Sequence, residues 1–327
     1  MRFFLCLFCL LLAVAGWAYY QYKDVLHPVD LDGSQKAKVV EIAPGATASS
    51  IGELLERESL VRSALAFRLL VRYKEKGDAL QSGYYLISPA ATPEQIIEQL
   101  TSGKVLTRKI TFPEGLLIPQ MADIIAKNHL CDTAEFIELA TRHGKDYGDF
   151  PDNLLGYLLP DTYEVPWVCS ADELLRIITS RFNELARPEV NNKSPLNLAQ
   201  TIVLASLIER EAQVSSERPI IAGVYINRLN AGMLLQCDAT IQFALGKQKE
   251  YLLYSDLDID SPYNTYLHAG LPPGPICNPG LAAIKAAAHP QKNNYLFYVR
   301  NDIKADGSHV FTRTESEHNR AVNKYLR

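Results

Sequence analysis

The stretch from Leu196 to Leu235, reading LNLAQTIVLASLIEREAQVSSERPIIAGVYINRLNAGMLL, constrains the fold more than any other part of the chain. Ile202, Val203, Leu204, Ala205, Leu207 and Ile208 put apolar side chains on every side of a helix, a pattern that suits a helix covered all round by protein. Such a helix is the centre of a core. Yet it ends in two acids. At about 100° per residue, Val203, Leu204, Leu207 and Ile208 share one stripe and Glu211 continues it near its middle, whereas Glu209 falls on the opposite side. A carboxyl that continues an apolar stripe loses hydration, which disfavours its charged form, raises its pKa and suits it to donate a proton near neutral pH. Glu211 is thus the expected general acid. The plainer reading is a solvated helix end, with Arg210 and Arg218 pairing with Glu209, Glu211 or Glu217.

The chain has 327 residues, 47% of them hydrophobic and 21% charged, the composition of an ordinary globular protein with room for more than one domain. Its net charge of -4 is well mixed, without a basic stripe, and gives no sign of a nucleic-acid partner. The N-terminus is different in kind. Phe3 to Tyr20 is uncharged and apolar between Arg2 and Lys23, just long enough to span a bilayer. Trp17, Tyr19, Tyr20 and Tyr22 cluster at its C-terminal end, where aromatic rings favour the lipid–water boundary, and Arg2 favours an N-in orientation. Residues 1–22 are therefore expected to form a single-pass anchor in the inner (cytoplasmic) membrane, with the body of the protein extracytoplasmic or periplasmic. Ala13-Val14-Ala15 offers a competing reading as a signal-peptide cleavage site. The apolar run continues past that site, which favours the anchor, and both readings export the body.

Cys131, Cys169, Cys237 and Cys277 lie beyond the apolar segment. Four cysteines allow three pairings that spacing cannot choose between. No pair among these four has CxxC spacing and no nearby His completes a zinc pattern, so no structural metal is expected. Nothing in the chain calls for a cofactor.

The expected class is α+β. Lys38–Ile42 and Gly83–Ile87 alternate as strands, and Ile51, Leu54 and Leu55, then Leu65, Leu69 and Leu70, mark two amphipathic helices between them. Thr92-Pro93-Glu94 opens a further helix. This strand–helix–helix–strand module, 38–104, resembles a LysM-type carbohydrate-binding module, with V-x-I-x-P-G-A-T near its start and G-Y-Y-L-I-S near its end. A connecting α+β segment follows at 105–150. The Gly- and Asp-rich run Gly144 to Asn153 reads as the boundary to a larger α+β domain, 151–327, built round the buried central helix.

That domain is rich in loop formers and neutral hydrogen-bonding side chains. Gly156 to Tyr163 combines aromatics, a proline and an acid, which suits a sugar-binding wall through Tyr157 and Asp161. Gln236, Asp238 and Thr240, then Asn264 and Tyr266, then Asn278, stand among turn-forming residues. Amide and hydroxyl groups make directional hydrogen bonds without added charge, as a hydroxyl- and amide-bearing substrate requires. These eight residues are the candidate substrate contacts; the alternative is that they shape turns.

Several motifs together are highly specific: G-Y-L-L-P-D-T-Y at 156–163, L-A-S-L-I-E-R-E-A at 204–212, S-E-R-P-I-I-A-G-V-Y-I-N-R-L at 216–229, L-Q-C-D-A-T-I at 235–241, Y-N-T-Y at 263–266, G-L-P-P-G-P-I-C-N-P-G at 270–280 and A-A-A-H-P at 286–290. Through them the chain resembles the YceG-like family, the endolytic murein transglycosylases, over nearly its whole length. The resemblance puts that family's catalytic acid, the second glutamate of I-E-x-E, on Glu211. Cys237 departs from it, since relatives often carry a hydroxyl residue there. The resemblance implies cleavage, without water, of the β-1,4 bond between N-acetylmuramic acid and N-acetylglucosamine inside nascent peptidoglycan strands, leaving 1,6-anhydro ends and ending glycan elongation. It also implies peptidoglycan and, through synthesis complexes, penicillin-binding proteins as partners. Two other functions stay open from the residues: a wall-binding scaffold without chemistry, and a hydrolytic muramidase, which needs a second carboxyl such as Asp161, Glu217 or Asp238.

Overall fold

A computed structural model describes residues 24–191 and 193–326. The segment 1–22, expected to be an anchor, lies outside them. Among the described residues no helix is long and apolar enough to cross a membrane. The described residues form an α+β fold with three two-stranded sheets, and it divides into two compact units. One comprises residues up to Arg108 with Pro166–Val168, the other Lys109–Val165 with Cys169–Arg327.

In the smaller unit β1 (Lys38–Ile42) and β2 (Gly83–Ile87) enclose α1 (Ala48–Arg57) and α2 (Ala64–Tyr73) in sequence, and α3 (Pro93–Thr101) follows. The strands are antiparallel, with Val40 opposite Tyr85. Period-two alternation sends Val40, Ile42, Tyr85 and Ile87 inward. There they meet Ile51, Leu55, Phe67, Leu70 and Ile96 in one core. Each helix starts on a side-chain cap: Thr47 Oγ1 accepts from Ser50 N at 3.2 Å, Ser63 Oγ from Ala66 N at 3.3 Å, and Thr92 Oγ1 from Gln95 N at 3.2 Å. These bonds satisfy amides that the first helical turn leaves open.

Next come β3 (Thr107–Thr111), α4 (Ile118–Lys127), α5 (Thr133–Arg142), β4 (Thr162–Pro166), α6 (Ala171–Leu185), α7 (Leu198–Glu211), α8 (Arg218–Asn230), α9 (Asp238–Ala244), α10 (Leu281–Ala288), β5 (Phe297–Arg300), β6 (His309–Thr312) and α11 (Glu315–Tyr325). The chain passes between the units within the paired strands β3 and β4. Sequence pattern alone puts a connector at 105–150 and the start of the large domain at 151. In the structure Ile110, Phe112, Met121, Ile125 and Phe136 share a core with Leu154, Leu174 and Ile208, so the larger unit starts at Lys109. Gly144 to Asn153 is a loop inside that unit that opens with a short 3-10 turn at Gly144–Tyr147, held by Gly144 N to Asp152 O at 2.9 Å and Leu154 N to Ala140 O at 2.8 Å. A Cβ on Gly144 would stand 2.0 Å from Pro151 O. Only glycine allows that close approach.

Helix α7 is buried continuously from Thr201 to Ile208. Asn197 and Gln200 cap its start reciprocally, at 2.9 and 3.3 Å. Its two buried hydroxyls are satisfied locally: Thr201 Oγ1 donates to Asn197 O at 2.7 Å, and Ser206 Oγ to Val203 O at 2.7 Å while accepting Ile276 N at 3.0 Å. The alanine-rich α10 packs along it, because side chains as small as Ala283, Ala286 and Ala287 let two helices approach closely. Gly156 has φ +89°, and a Cβ there would come within 2.5 Å of Pro275 and 2.8 Å of Ile202. Only glycine lets the 156–163 segment lie so close to α7.

Candidate active site

Helix α7 delivers Glu211 as its last residue. The carboxyl meets two donors from distant parts of the chain. Cys237 Sγ donates to Oε1 at 3.3 Å, and the Tyr298 hydroxyl on β5 donates to Oε2 at 3.0 Å. Behind Tyr298 stands the buried Tyr225 of α8, with the two hydroxyls 2.9 Å apart. The rings of Tyr225 and His309 each meet Tyr298 edge-on, at 6.3 and 5.3 Å. Four elements thus converge on one carboxyl: α7, α8, the start of α9 and the β5–β6 hairpin.

Burial pushes the Glu211 pKa above the ordinary carboxylate value, and the negative charge of Asp238 adds to the rise. The Cys237 and Tyr298 hydrogen bonds and the nearby His309 pull the other way without cancelling it. Burial likewise pushes Tyr225, Cys237 and Tyr298 well above their usual values, so near neutrality each keeps its proton and serves as a neutral donor. A carboxyl in this setting holds its proton to an unusually high pH, and once ionised it is met by two donors already in place.

Glu211 faces a cleft of about 640 Å³ that Gln236, Asp238, Tyr266, Tyr254 and Phe297 also line. Gln236 adopts φ +49°, a left-handed backbone uncommon outside glycine, with its amide donating to Thr265 O at 3.1 Å. Tyr266 donates its hydroxyl to Asp238 Oδ1 at 2.5 Å. Phe297 lies between the Arg228 guanidinium, 5.2 Å from its centroid, and the stacked ring of His318, also at 5.2 Å. Arg228 in turn donates to Leu296 O at 2.6 Å and Leu235 O at 2.8 Å, tying the hairpin to the loop that carries Gln236.

Of the nine residues singled out in the sequence, Glu211, Gln236, Asp238 and Tyr266 meet in this cleft. Thr240 is buried behind it, bonded to Cys237 O at 2.7 Å and to the Thr265 hydroxyl at 2.9 Å. Asn264 spends its amide on Leu257 O and Ile259 O, at 2.8 and 2.9 Å. Asn278 accepts Gly156 N at 2.7 Å and donates to Leu116 O at 3.1 Å. Tyr157 is packed against Phe150 and Phe182, and Asp161 pairs with Arg181 at 2.9 Å. These five hold backbone and core together, and none lines the cleft.

The other two acids are occupied as well. Glu209, with a side chain only 7% exposed, pairs with Arg218 at 3.3 Å and accepts Gly280 N at 2.8 Å. Buried Glu217 accepts both the backbone N and Nδ1 of His309, at 2.9 and 2.8 Å. Sequence reasoning missed Tyr298 and Tyr225, and marked Cys237 only as a departure from the hydroxyl residue that relatives often carry. The signal for Tyr225 lay in the Y-I-N-R-L motif: Tyr225 and Arg228 face the hairpin, and Asn227 donates to Tyr295 O at 2.9 Å.

The YceG-like family model matches residues 40–324. A Bacillus subtilis (strain 168) protein named endolytic murein transglycosylase is 35% identical over 334 residues, which cover 96% of this chain and 91% of its own. A Streptococcus pneumoniae (strain D39) protein of the same name is 29% identical over 98% of this chain, which spans 64% of that longer relative. The crystal structure of a YceG-like protein from Listeria monocytogenes is 31% identical and superposes with a TM-score of 0.57, over 88% of this chain and 99% of that one. The chain belongs to the YceG-like family.

Proposed function

We propose that this protein is an endolytic murein transglycosylase with Glu211 as its acid and base. The observation that carries the reading is the Glu211 carboxyl, partly buried at the wall of a cleft and met by two neutral donors. Protonated Glu211 gives its proton to the glycosidic oxygen between N-acetylmuramic acid and N-acetylglucosamine, and the bond from that oxygen to the muramic anomeric carbon breaks. The resulting carboxylate, held by Cys237 and Tyr298, takes the proton of the muramic C6 hydroxyl as its oxygen bonds to the anomeric carbon. A 1,6-anhydro end results and no water is consumed. Positioned proton transfer of this kind contributes roughly 10²–10⁴ in rate. Gln236, Asp238 and Tyr266 are proposed to contact the sugars, with Thr240, Asn264 and Asn278 shaping the loops around them and Tyr157 and Asp161 supporting the scaffold.

The anchor at 1–22 would place the cleft outside the cytoplasmic membrane, where strands are made. The LysM-like part would hold glycan, and penicillin-binding proteins of the synthesis machinery would be neighbours. A hydrolytic muramidase is the second reading, favoured by the presence of Asp238 in the same cleft. Digesting purified sacculi with the full chain and resolving the products by mass spectrometry separates them. Anhydro ends support the transglycosylase, reducing ends the hydrolase, and intact sacculi a scaffold without chemistry.

A further inference from the structure

Helix α2 of the smaller unit turns one face into that unit's core and leaves the other apolar and open. Ala66, Phe67, Leu70 and Val71 are buried. Leu65, Leu69 and Tyr73 are 55%, 45% and 83% exposed. They stand four residues apart and so lie in one row. Arg68 and Arg72 are exposed on the same face, and neither is in an ion pair among the described residues. Surface leucines are ordinary when scattered singly. Two in a row with a tyrosine, interleaved with two cations, make a pattern.

The start of this helix is fastened to the place where the described chain begins. Asp24 pairs with Arg62 at 3.6 Å, Arg62 Nε donates to Pro28 O at 3.0 Å, and the next residue, Ser63, caps α2. Asp24 is four positions past Tyr20, where the apolar run ends, and four residues span at most about 14 Å. A bilayer ending at Tyr20 would therefore lie close to the N-terminal end of the Leu65–Leu69–Tyr73 row.

We infer that this face of α2 docks on an anionic lipid surface, with Leu65 and Leu69 at the acyl boundary, Tyr73 among the headgroups, and Arg68 and Arg72 on lipid phosphates. The leucines gain by leaving water, and tyrosine rings favour the interface. The planar guanidinium matches a phosphate oxygen pair, and its long stem lets it snorkel to that depth. Three side chains hold no protein on a membrane alone, but a tether a few residues away makes the contact intramolecular. The inference rests on reading residues 1–22 as an anchor.

The test places a photoreactive benzophenone amino acid at position 69, or at exposed Glu56 of α1 as a control, in the full chain reconstituted in phosphatidylglycerol or phosphatidylcholine vesicles. Lipid adducts at 69 several-fold above those at 56, and more abundant with phosphatidylglycerol, are expected. Arg68→Gln and Arg72→Gln should each erode that lipid preference by roughly fivefold. A chain that floats with the vesicles but gives equal adducts at both positions overturns the docking and leaves the anchor standing. Adducts to a second protein copy at 69 overturn it in favour of self-association. A chain that does not float overturns the anchor reading and the docking with it.

Discussion

Tyr298 donates to Oε2 of Glu211 at 3.0 Å across 87 positions of sequence, and this bond sets how readily the carboxyl gives up its proton. A general acid works while protonated, so kcat/KM falls as pH rises through the Glu211 pKa. Tyr298 stabilises the ionised form and lowers that pKa against the larger effect of burial. Tyr298→Phe should therefore move the falling limb of the profile to higher pH. Cys237, Asp238, His309 and Tyr225 still face the carboxyl and keep the rest of the balance. At the optimum the rate should drop tenfold to about a hundredfold, from the roughly 1.5–3 kcal/mol of a hydrogen bond to a charged group. Cys237→Ser keeps a donor and should change the profile less than Cys237→Ala. A slower enzyme with an unmoved limb would mean that Tyr298 only packs.

Replacing either acid at the end of α7 separates chemistry from structure. Glu211→Gln should abolish release of anhydromuropeptides with the fold intact, because an amide neither gives nor takes the proton. Glu209→Gln should retain activity at low temperature but melt earlier, since it leaves Arg218 without its buried partner. The expected cost is about 1–3 kcal/mol. Sacculus digestion and thermal unfolding of both variants check this, and equal loss of activity would undo the division of roles.

The same glutamate should make the protein less stable as pH rises. Glu211 has its pKa raised on folding by burial, so between its unfolded and folded values the native state binds more protons and stability falls with increasing pH. Glu211→Gln should then melt above the parent at pH 8, and the gap should close below about pH 4, the unfolded glutamate range. A gap independent of pH would show that Glu211 is solvated. Stability withheld at a reactive group is a familiar trade.

Much of this architecture is legible in the sequence because it is local. The all-round apolar run of α7 announces a buried helix, Thr92-Pro93-Glu94 announces the start of α3, and alternation announces β1 and β2. Glu211 is legible because a stripe points to it. Loop function is not legible in the same way. Asn264, Asn278 and Thr240 have the chemistry of sugar contacts, yet a buried loop must satisfy its own backbone first, and their hydrogen bonds go there. The partnership of Tyr298 with Glu211 depends on how β5 is set against α7, which no short-range pattern encodes. Helices α4 and α5 are periodic enough to predict, but which core they join is a tertiary outcome.

His309 offers a last test, because it supports the site without lining it. It and Glu217 are both buried, joined at 2.8 Å, and the His309 ring packs edge-on against Tyr298. The pair fastens β6 to the turn before α8 and backs the tyrosine that holds Glu211. His309→Ala leaves the Glu217 carboxylate buried with one backbone donor, a loss of the order of 3–5 kcal/mol for a broken buried pair. It should also free Tyr298 to turn from Glu211, so kcat should fall with little change in KM. Glu217→Ala added to His309→Ala removes the stranded charge and should restore part of the stability. It should restore none of the rate, because the cavity beside Tyr298 remains. A double variant that regains both would place His309 in the scaffold only, with no hold on the tyrosine.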